Sequence, residues 1–83
     1  MHIDLIRHRE IRKRLREAGS SISALARELS VAPETVTIVS QGYRKSHRVQ
    51  TAIAETLGVT PAELFPERYA EQAGQKEMHK PRH

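Results

Sequence analysis

Residues 21–41, SISALARELSVAPETVTIVSQ, decide the fold of this chain. Small and apolar residues recur in them at helical spacing, which is typical of two short helices joined by a tight turn. Leu25 and Leu29 are four residues apart, so they share the inner face of the first of these helices. Ala26 is small, which lets the second helix cross close above it. The apolar skeleton comprises Leu25, Ala26, Leu29, Val31, Val36 and Val39.

The second of these helices is predicted against the intrinsic preference of its residues. Residues 35–39, TVTIV, are all β-branched and favour a strand by propensity alone. We predict a helix over residues 33–41 because the apolar spacing of the two-helix unit is intact. Pro33 suits its first position, where no amide hydrogen is needed, and Gly42 suits its end.

Two serines mark the ends of the first of these helices. Ser21 is the predicted N-cap of a helix over residues 22–29, since its hydroxyl can accept a hydrogen bond from a first-turn amide. Ser30 occupies the turn, at a position where a positive φ often calls for glycine. A left-handed serine there costs roughly 1 kcal/mol.

A further helix is predicted before this unit. It runs from about His8 to Ala18, and Ile11, Leu15 and Ala18 form its apolar stripe. Residues 1–7 are predicted to be a loose arm.

Two more helices are predicted after the unit. Ser46 is the expected cap of a helix that reaches about Leu57. Thr60 and Glu63 have the spacing of a capping box, which opens a short fifth helix and brings Phe65 into the core. We therefore predict an all-α fold, a compact bundle of about five short helices with a central helix-turn-helix.

The composition indicates one small basic domain. The chain has 83 residues, no cysteine, a formal net charge of +4 and a sequence pI of about 10.0. Residues 1–48 hold ten Lys and Arg against five acids, whereas residues 49–83 hold four against five. The basic half contains the helix-turn-helix, which favours a polyanion as partner. We assign residues 1–70 to the domain and expect the polar residues 71–83 to be a disordered tail.

The outer face of the third helix is the predicted reader of DNA bases. The helix over residues 33–41 would enter the major groove of double-stranded DNA. Gln41 can pair with adenine, Glu34 can accept from cytosine, and the methyl groups of Thr37 and Ile38 can contact thymine. Glu34 could instead serve only the helix dipole, and Ile38 could instead be a core or dimer residue. The predicted base-contacting residues are Ala32, Pro33, Glu34, Thr35, Thr37, Ile38 and Gln41.

Phosphate contacts are predicted around that helix, because it has no Lys or Arg of its own. Helix N-termini and flexible cations both suit phosphate oxygens. The alternative for the loop cations is a solvated loop, and for Arg27 an ion pair within its own helix. The predicted phosphate-contacting residues are Ser21, Ser23, Arg27, Tyr43, Arg44, Lys45, Ser46, His47 and Arg48.

No catalytic, cofactor or metal site is predicted. His79 and His83 are four residues apart, but no third ligand is near them in the sequence. The serines at positions 20, 21 and 23 lack a neighbouring His and acid, and helix caps explain them better. We expect a protein that is not an enzyme and that binds no small-molecule ligand.

Two stretches carry a family resemblance. SISALARELSVAPETV and RVQTAIAETLGVTPAELFPERY resemble the λ-repressor-like DNA-binding domains, and within them the Ner-type regulators of Mu-like transposable phages and their bacterial relatives. The resemblance covers about residues 8–70. Phe65 stands where that group often has Trp, Ser30 stands where it often has Gly, and the loop over residues 41–48 is longer than in Ner. The matching residues in the second half are Ile53, Ala54, Leu57, Gly58, Pro61, Phe65, Pro66, Arg68 and Tyr69.

The resemblance implies a small transcriptional regulator of phage or prophage type that binds operator DNA. Because most relatives read paired half-sites, it also implies a homodimer on DNA. The expected location is the cytoplasm of a bacterial or phage-infected cell, in association with the nucleoid. No run of residues approaches the roughly 20 apolar ones that span a membrane, and no membrane partner is expected.

The alternative function is a helix-turn-helix module that binds protein, such as an antitoxin or a dimerisation adaptor. The apolar Ile38 and the absence of basic residues on the recognition face favour that alternative. Binding to duplex DNA that weakens steeply with salt would distinguish a regulator from it.

Overall fold

The computed structural model describes residues 3–69. These residues form helices and no strand, so the all-α prediction is confirmed. A sixth short helical stretch covers residues 66–69. The five helices that precede it are α1 (Leu5–Glu17), α2 (Ile22–Leu29), α3 (Pro33–Gln41), α4 (His47–Leu57) and α5 (Pro61–Leu64).

Helix α1 begins earlier than the sequence predicted. Its N-cap is Asp4, whose carboxylate accepts a hydrogen bond from the amide of Arg7 at 2.9 Å. The prediction of a loose arm over residues 1–7 is therefore wrong for residues 5–7, which are helical. Ala18 was expected on the apolar stripe, but it is the exposed C-cap residue of α1.

The two-helix unit has the predicted bounds. The hydroxyl of Ser21 accepts from the amide of Ala24 at 3.0 Å and caps α2. Ser30 has a φ of 58°, so the left-handed turn is kept without glycine. Residues 35–39 are helical despite their β-branched side chains. Val36 and Val39 have no exposed surface, and this tertiary packing outweighs the weak intrinsic preference.

The predicted caps of the later helices are also confirmed. The hydroxyl of Ser46 accepts from the amide of Val49 at 3.3 Å at the start of α4. Thr60 and Glu63 exchange both hydrogen bonds of a capping box at the start of α5. Phe65 lies directly after α5 and is fully buried, as the sequence predicted.

The core lies where α3 meets α1, α2 and α4. It is aliphatic apart from Phe65, in keeping with an aromatic content of 4%. Tyr69 packs against the edge of this core. The buried apolar residues that form it are Ile11, Leu15, Leu25, Ala26, Val36, Val39, Val49, Ile53 and Phe65.

Some predictions concern residues outside the described part of the chain. They include the disordered tail over residues 71–83 and the histidine pair His79 and His83. Within residues 3–69, every helix is too short or too polar to cross a lipid bilayer.

Candidate nucleic-acid interface

Helix α3 is open to solvent at its N-terminal end and half-buried towards its C-terminal end. Its inner face carries Val36, Val39 and Ser40, which are buried. The predicted base-contacting residues all lie off that face. Of these, Ala32, Pro33 and Glu34 are exposed, and Thr35, Thr37, Ile38 and Gln41 are half-buried. The most accessible of these predicted positions are therefore in the first turn, which in helix-turn-helix proteins is the part of the recognition helix that contacts bases.

The start of α3 has no side-chain cap, although the amide of Thr35 donates to the carbonyl of Ala32 at 3.0 Å. Ala32 precedes the helix and provides no side-chain cap, and Pro33 has no amide hydrogen. The positive end of the helix dipole is thus exposed to solvent, where it favours negative groups. Glu34 is the acid in this first turn, so it also serves the dipole.

Most of the predicted phosphate-contacting residues are exposed. Ser21 and Ser23 are exposed at the start of α2, and Arg27 is exposed in its last turn. Tyr43, Arg44 and Lys45 are exposed in the segment between α3 and α4, residues 42–46, which we call the basic loop. The cations that α3 lacks are thus supplied by the elements before and after it.

The basic loop is held by an arginine that the sequence analysis did not assign to the site. The guanidinium of Arg68 donates to the carbonyl of Gly42 at 2.9 Å and to the carbonyl of Arg44 at 3.2 Å. The amide of Tyr43 donates to the carbonyl of Ile38 at 3.0 Å, which closes the end of α3. These bonds fix the backbone of the loop and leave the side chains of Tyr43 and Arg44 exposed.

A hydrogen-bonded chain joins the start of α4 to Tyr69. The amide of Ser46 donates to Oε1 of Gln50 at 3.0 Å, so the side-chain nitrogen of Gln50 is the atom that donates to the Tyr69 hydroxyl at 2.9 Å. That hydroxyl has accepted one bond and can donate its own hydrogen to Nδ1 of His47, 2.7 Å away. Ser46 and His47 therefore have structural partners in addition to any phosphate.

Arg48 also has a partner within the protein. Its guanidinium donates to the carbonyl of Leu29, at the end of α2. A last-turn carbonyl of a helix lacks an intrahelical donor, and a cation there also suits the helix dipole. Arg48 thus ties the start of α4 to the turn of the helix-turn-helix.

The residues after α5 fasten the same region to α1. The guanidinium of Arg7 makes two hydrogen bonds of 2.9 Å with the carboxylate of Glu67, which is the bidentate geometry of a strong ion pair. Arg7 also lies over the ring of Phe65, 4.6 Å from its centroid. We call Glu67, Arg68 and Tyr69 the closing tripeptide, because each of its side chains bonds to another element.

A buried polar pair links α1 to α3. Nδ1 of His8 and the hydroxyl oxygen of Ser40 are 2.7 Å apart. Burial lowers the pKa of His8 below its ordinary value, and the positive charge of Arg12 lowers it further. The position next to Ser40 on α3 is Gln41, whose carbonyl accepts from the amide of Asp4 at 2.9 Å. Helix α3 is therefore bonded twice to the start of α1.

Sequence reasoning missed the residues that support the site rather than those that face solvent. Arg68 and Tyr69 stood in the motif that carried the family resemblance, and this motif was the available signal for them. His8 and Ser40 had no local signal, because their contact joins residues 32 positions apart. Among residues 3–69, no group of three or more potential ligands could hold a metal ion.

Comparison with known families agrees with this geometry. A family of winged helix-turn-helix DNA-binding domains matches residues 6–82, and the chain belongs to that family. No curated protein and no solved structure matches it. Membership confirms the helix-turn-helix interpretation and supports DNA as the partner. Although the family is named for a wing, residues 3–69 are without strands.

Proposed function

We propose that this member of the winged helix-turn-helix family is a sequence-specific transcriptional regulator that places α3 in the major groove. One observation carries the proposal: the exposed start of α3 is flanked by exposed cations on neighbouring elements. Residues without positive charge then face the bases, while cations face the phosphates. The flanking cations are Arg27, Arg44, Lys45 and Arg48.

Recognition of bases would depend on contacts other than a bidentate arginine–guanine pair. Residues 32–41 contain no Lys or Arg, so the commonest specific contact to guanine is absent from α3. Glu34 is exposed and can accept from the amino group of cytosine. Thr37 and Ile38 present methyl groups that suit thymine, and Gln41 suits adenine.

The phage or prophage type of the regulator and its pairing on DNA belong to the same proposal. Both rest on the resemblance of residues 8–70 to the Ner-type regulators. Two copies would occupy half-sites about 34 Å apart, one turn of the double helix. The regulator would act in the cytoplasm, where the chromosome is.

Selection of duplexes from a random pool tests this proposal. We expect the wild-type protein to enrich one sequence motif. Gln41→Ala should relax the preference at one position of that motif, because a single base contact is lost. Arg44→Ala should weaken binding to all sequences by a similar factor, since phosphates carry no sequence information. Failure to enrich any motif, with the protein folded, would contradict sequence-specific regulation.

The protein-binding alternative predicts a different surface. An adaptor would be expected to expose apolar residues on α3, yet Ile38 is half-buried. Among residues 3–69, the exposed large hydrophobic residues are Ile3, Leu5, Ile6 and Tyr43. Three of these lie at the start of α1, so the outer face of α3 favours DNA over a protein partner.

A further inference from the structure

A cavity of about 220 Å³ lies between the basic loop, the start of α4 and the closing tripeptide. We propose that this cavity seats one phosphate group of the DNA backbone, so that the closing tripeptide is part of the DNA interface. This inference rests on the proposed function. The residues that line the cavity are Lys45, His47, Gln50, Arg68 and Tyr69.

The charge of the cavity suits an anion. Lys45 is exposed beside it, and the side chain of Arg68, 11% exposed, forms part of its wall. Glu67 is the nearby acid, but its carboxylate bonds to Arg7 at 2.9 Å and lies 3.7 Å from Nε of Arg68. Two arginines therefore share one carboxylate, and Lys45 adds a further positive charge. A phosphate would bring this group of side chains closer to neutrality.

Polar groups at the cavity are also arranged for an anion. Nε of Arg68 makes no hydrogen bond, but it is buried and lies 3.7 Å from Oε2 of Glu67, so Arg68 acts on the cavity through the positive charge of its guanidinium. His47 is the first residue of α4, so the positive end of an 11-residue helix borders the cavity. The side-chain nitrogen of Gln50 carries two hydrogens, and its bond to Tyr69 needs one of them. The second hydrogen of this nitrogen is therefore a donor that the Tyr69 hydroxyl does not use.

The position of the cavity relative to α3 points to a backbone phosphate rather than a dissolved anion. Lys45 and His47 follow Gly42, the residue that ends α3, by three and five positions. Arg68 bonds to the carbonyl of Gly42 at 2.9 Å. A duplex that receives α3 in its major groove has its sugar–phosphate backbone along the edges of that groove. The loop that leaves α3 is the element that this backbone meets.

Salt dependence of binding tests the charge at the cavity. Dissociation constants for a selected duplex would be measured by fluorescence anisotropy over a range of KCl concentrations. Lys45→Ala should reduce the slope of log K against log salt by about 1, since one phosphate contact is lost. The control is Lys13→Ala, which removes the same charge from an exposed position on α1 and should leave the slope unchanged. Equal slopes for Lys45→Ala and the wild type would overturn the proposal.

Replacing single phosphates of the duplex with uncharged groups identifies the phosphate that binds in the cavity. Each phosphate of the duplex in turn is replaced by an uncharged methylphosphonate, and affinities are measured with the wild type, Lys45→Ala and Tyr69→Phe. At one linkage, the loss seen with the wild type should be smaller with both variants. Lys45→Ala removes a cation from the cavity, and Tyr69→Phe removes the hydroxyl that holds the side chains of Gln50 and His47 in place there. The contrary result is that, at every linkage, the loss of affinity from the methylphosphonate and the loss from the variant simply add, with both variants folded by circular dichroism. Lys45 and Tyr69 would then share no phosphate, and the proposal would be overturned.

Two further outcomes separate this proposal from the proposed function. If the wild type binds a duplex and the cavity variants bind it equally well, the proposed regulator function is retained and the phosphate site in the cavity is rejected. If no duplex binds, inorganic phosphate is titrated against the full chain by NMR. Shifts at His47 and Gln50 would then assign the cavity to a free anion, and the proposal of a backbone phosphate would be wrong.

Discussion

Nδ1 of His8 on α1 lies 2.7 Å from the hydroxyl oxygen of Ser40 on α3, and both side chains are buried. This bond joins α1 to α3, in addition to the backbone bond from the amide of Asp4 to the carbonyl of Gln41. Since buried polar groups are costly without partners, each residue requires the other. The pair thereby fixes one orientation of α3 against α1, next to Gln41, which we propose to contact a base.

Removal of the Ser40 hydroxyl should destabilise the protein. Ser40→Ala leaves the ring nitrogen of His8 without a partner, and we expect a loss of about 1–3 kcal/mol in the free energy of unfolding. Urea denaturation measures it. Ser23→Ala removes the same hydroxyl from an exposed position and should change stability by less than about 0.5 kcal/mol. Equal stabilities of the two variants would show that the buried bond contributes nothing.

The buried histidine should make stability depend on pH. Burial, followed by the charge of Arg12, lowers the pKa of His8 in the folded protein. Below the pKa of an unfolded histidine, about 6.5, the unfolded chain takes up a proton that the folded chain resists. The free energy of unfolding should therefore be highest above this pH and should fall as the pH drops below it.

A variant isolates that effect from other titrating groups. The difference in unfolding free energy between the wild type and His8→Gln should decrease steadily as pH falls from about 7 towards 5. A difference that stays constant over this range would contradict a lowered pKa for His8.

Glycine in the turn of the helix-turn-helix should be tolerated or stabilising. Ser30 has a φ of 58°, a conformation that costs a residue with a side chain roughly 1–2 kcal/mol. Ser30→Gly removes this strain, but glycine raises the conformational entropy of the unfolded chain, which lowers stability by about 0.4–1 kcal/mol. We therefore expect a net increase of about 0.5 kcal/mol in the free energy of unfolding. Thermal unfolding measures it. Gly58→Ala is the opposite change at a φ of 75° and should destabilise, with no clash at the added carbon. A clear loss of stability in Ser30→Gly would refute the strain.

The ion pair between Arg7 and Glu67, which holds the closing tripeptide to α1, should require arginine at position 7, and lysine should not replace it. Arg7→Lys keeps the charge but loses the two-pronged contact with Glu67, and we expect a loss of about 1.5–3 kcal/mol in stability. Arg9→Lys, at an exposed position of the same helix, is the control and should have little effect. Equal effects of the two changes would mean that the bidentate geometry is irrelevant to stability.

The features predicted well from sequence are those set within a few residues. The caps Ser21, Ser46 and Thr60 each bond to an amide three residues ahead, so residue type and spacing suffice to predict them. The helical state of residues 35–39 needed more than propensity. It followed from the apolar spacing of the whole two-helix unit, which reflects tertiary packing.

The features missed are those that join distant parts of the chain. Arg68 and Gly42 are 26 positions apart, and the sequence around either one does not indicate the other. The start of α1 was missed for a different reason. Leu5 and Ile6 are exposed, so the first turn lacks the apolar stripe by which a helix is usually predicted, and the cap at Asp4 was the remaining signal.

The salt dependence of duplex binding by the wild-type protein tests the central claim most directly. A regulator that reads DNA with a helix without Lys or Arg, flanked by cations on neighbouring elements, should bind a selected duplex at low salt. Log K should then fall linearly with log salt by about 0.9 for each phosphate contacted. With four exposed cations around α3 as the main contacts, the expected slope is about −3 to −4 per copy. Absence of binding to any duplex at low salt, with the protein folded, would contradict the claim.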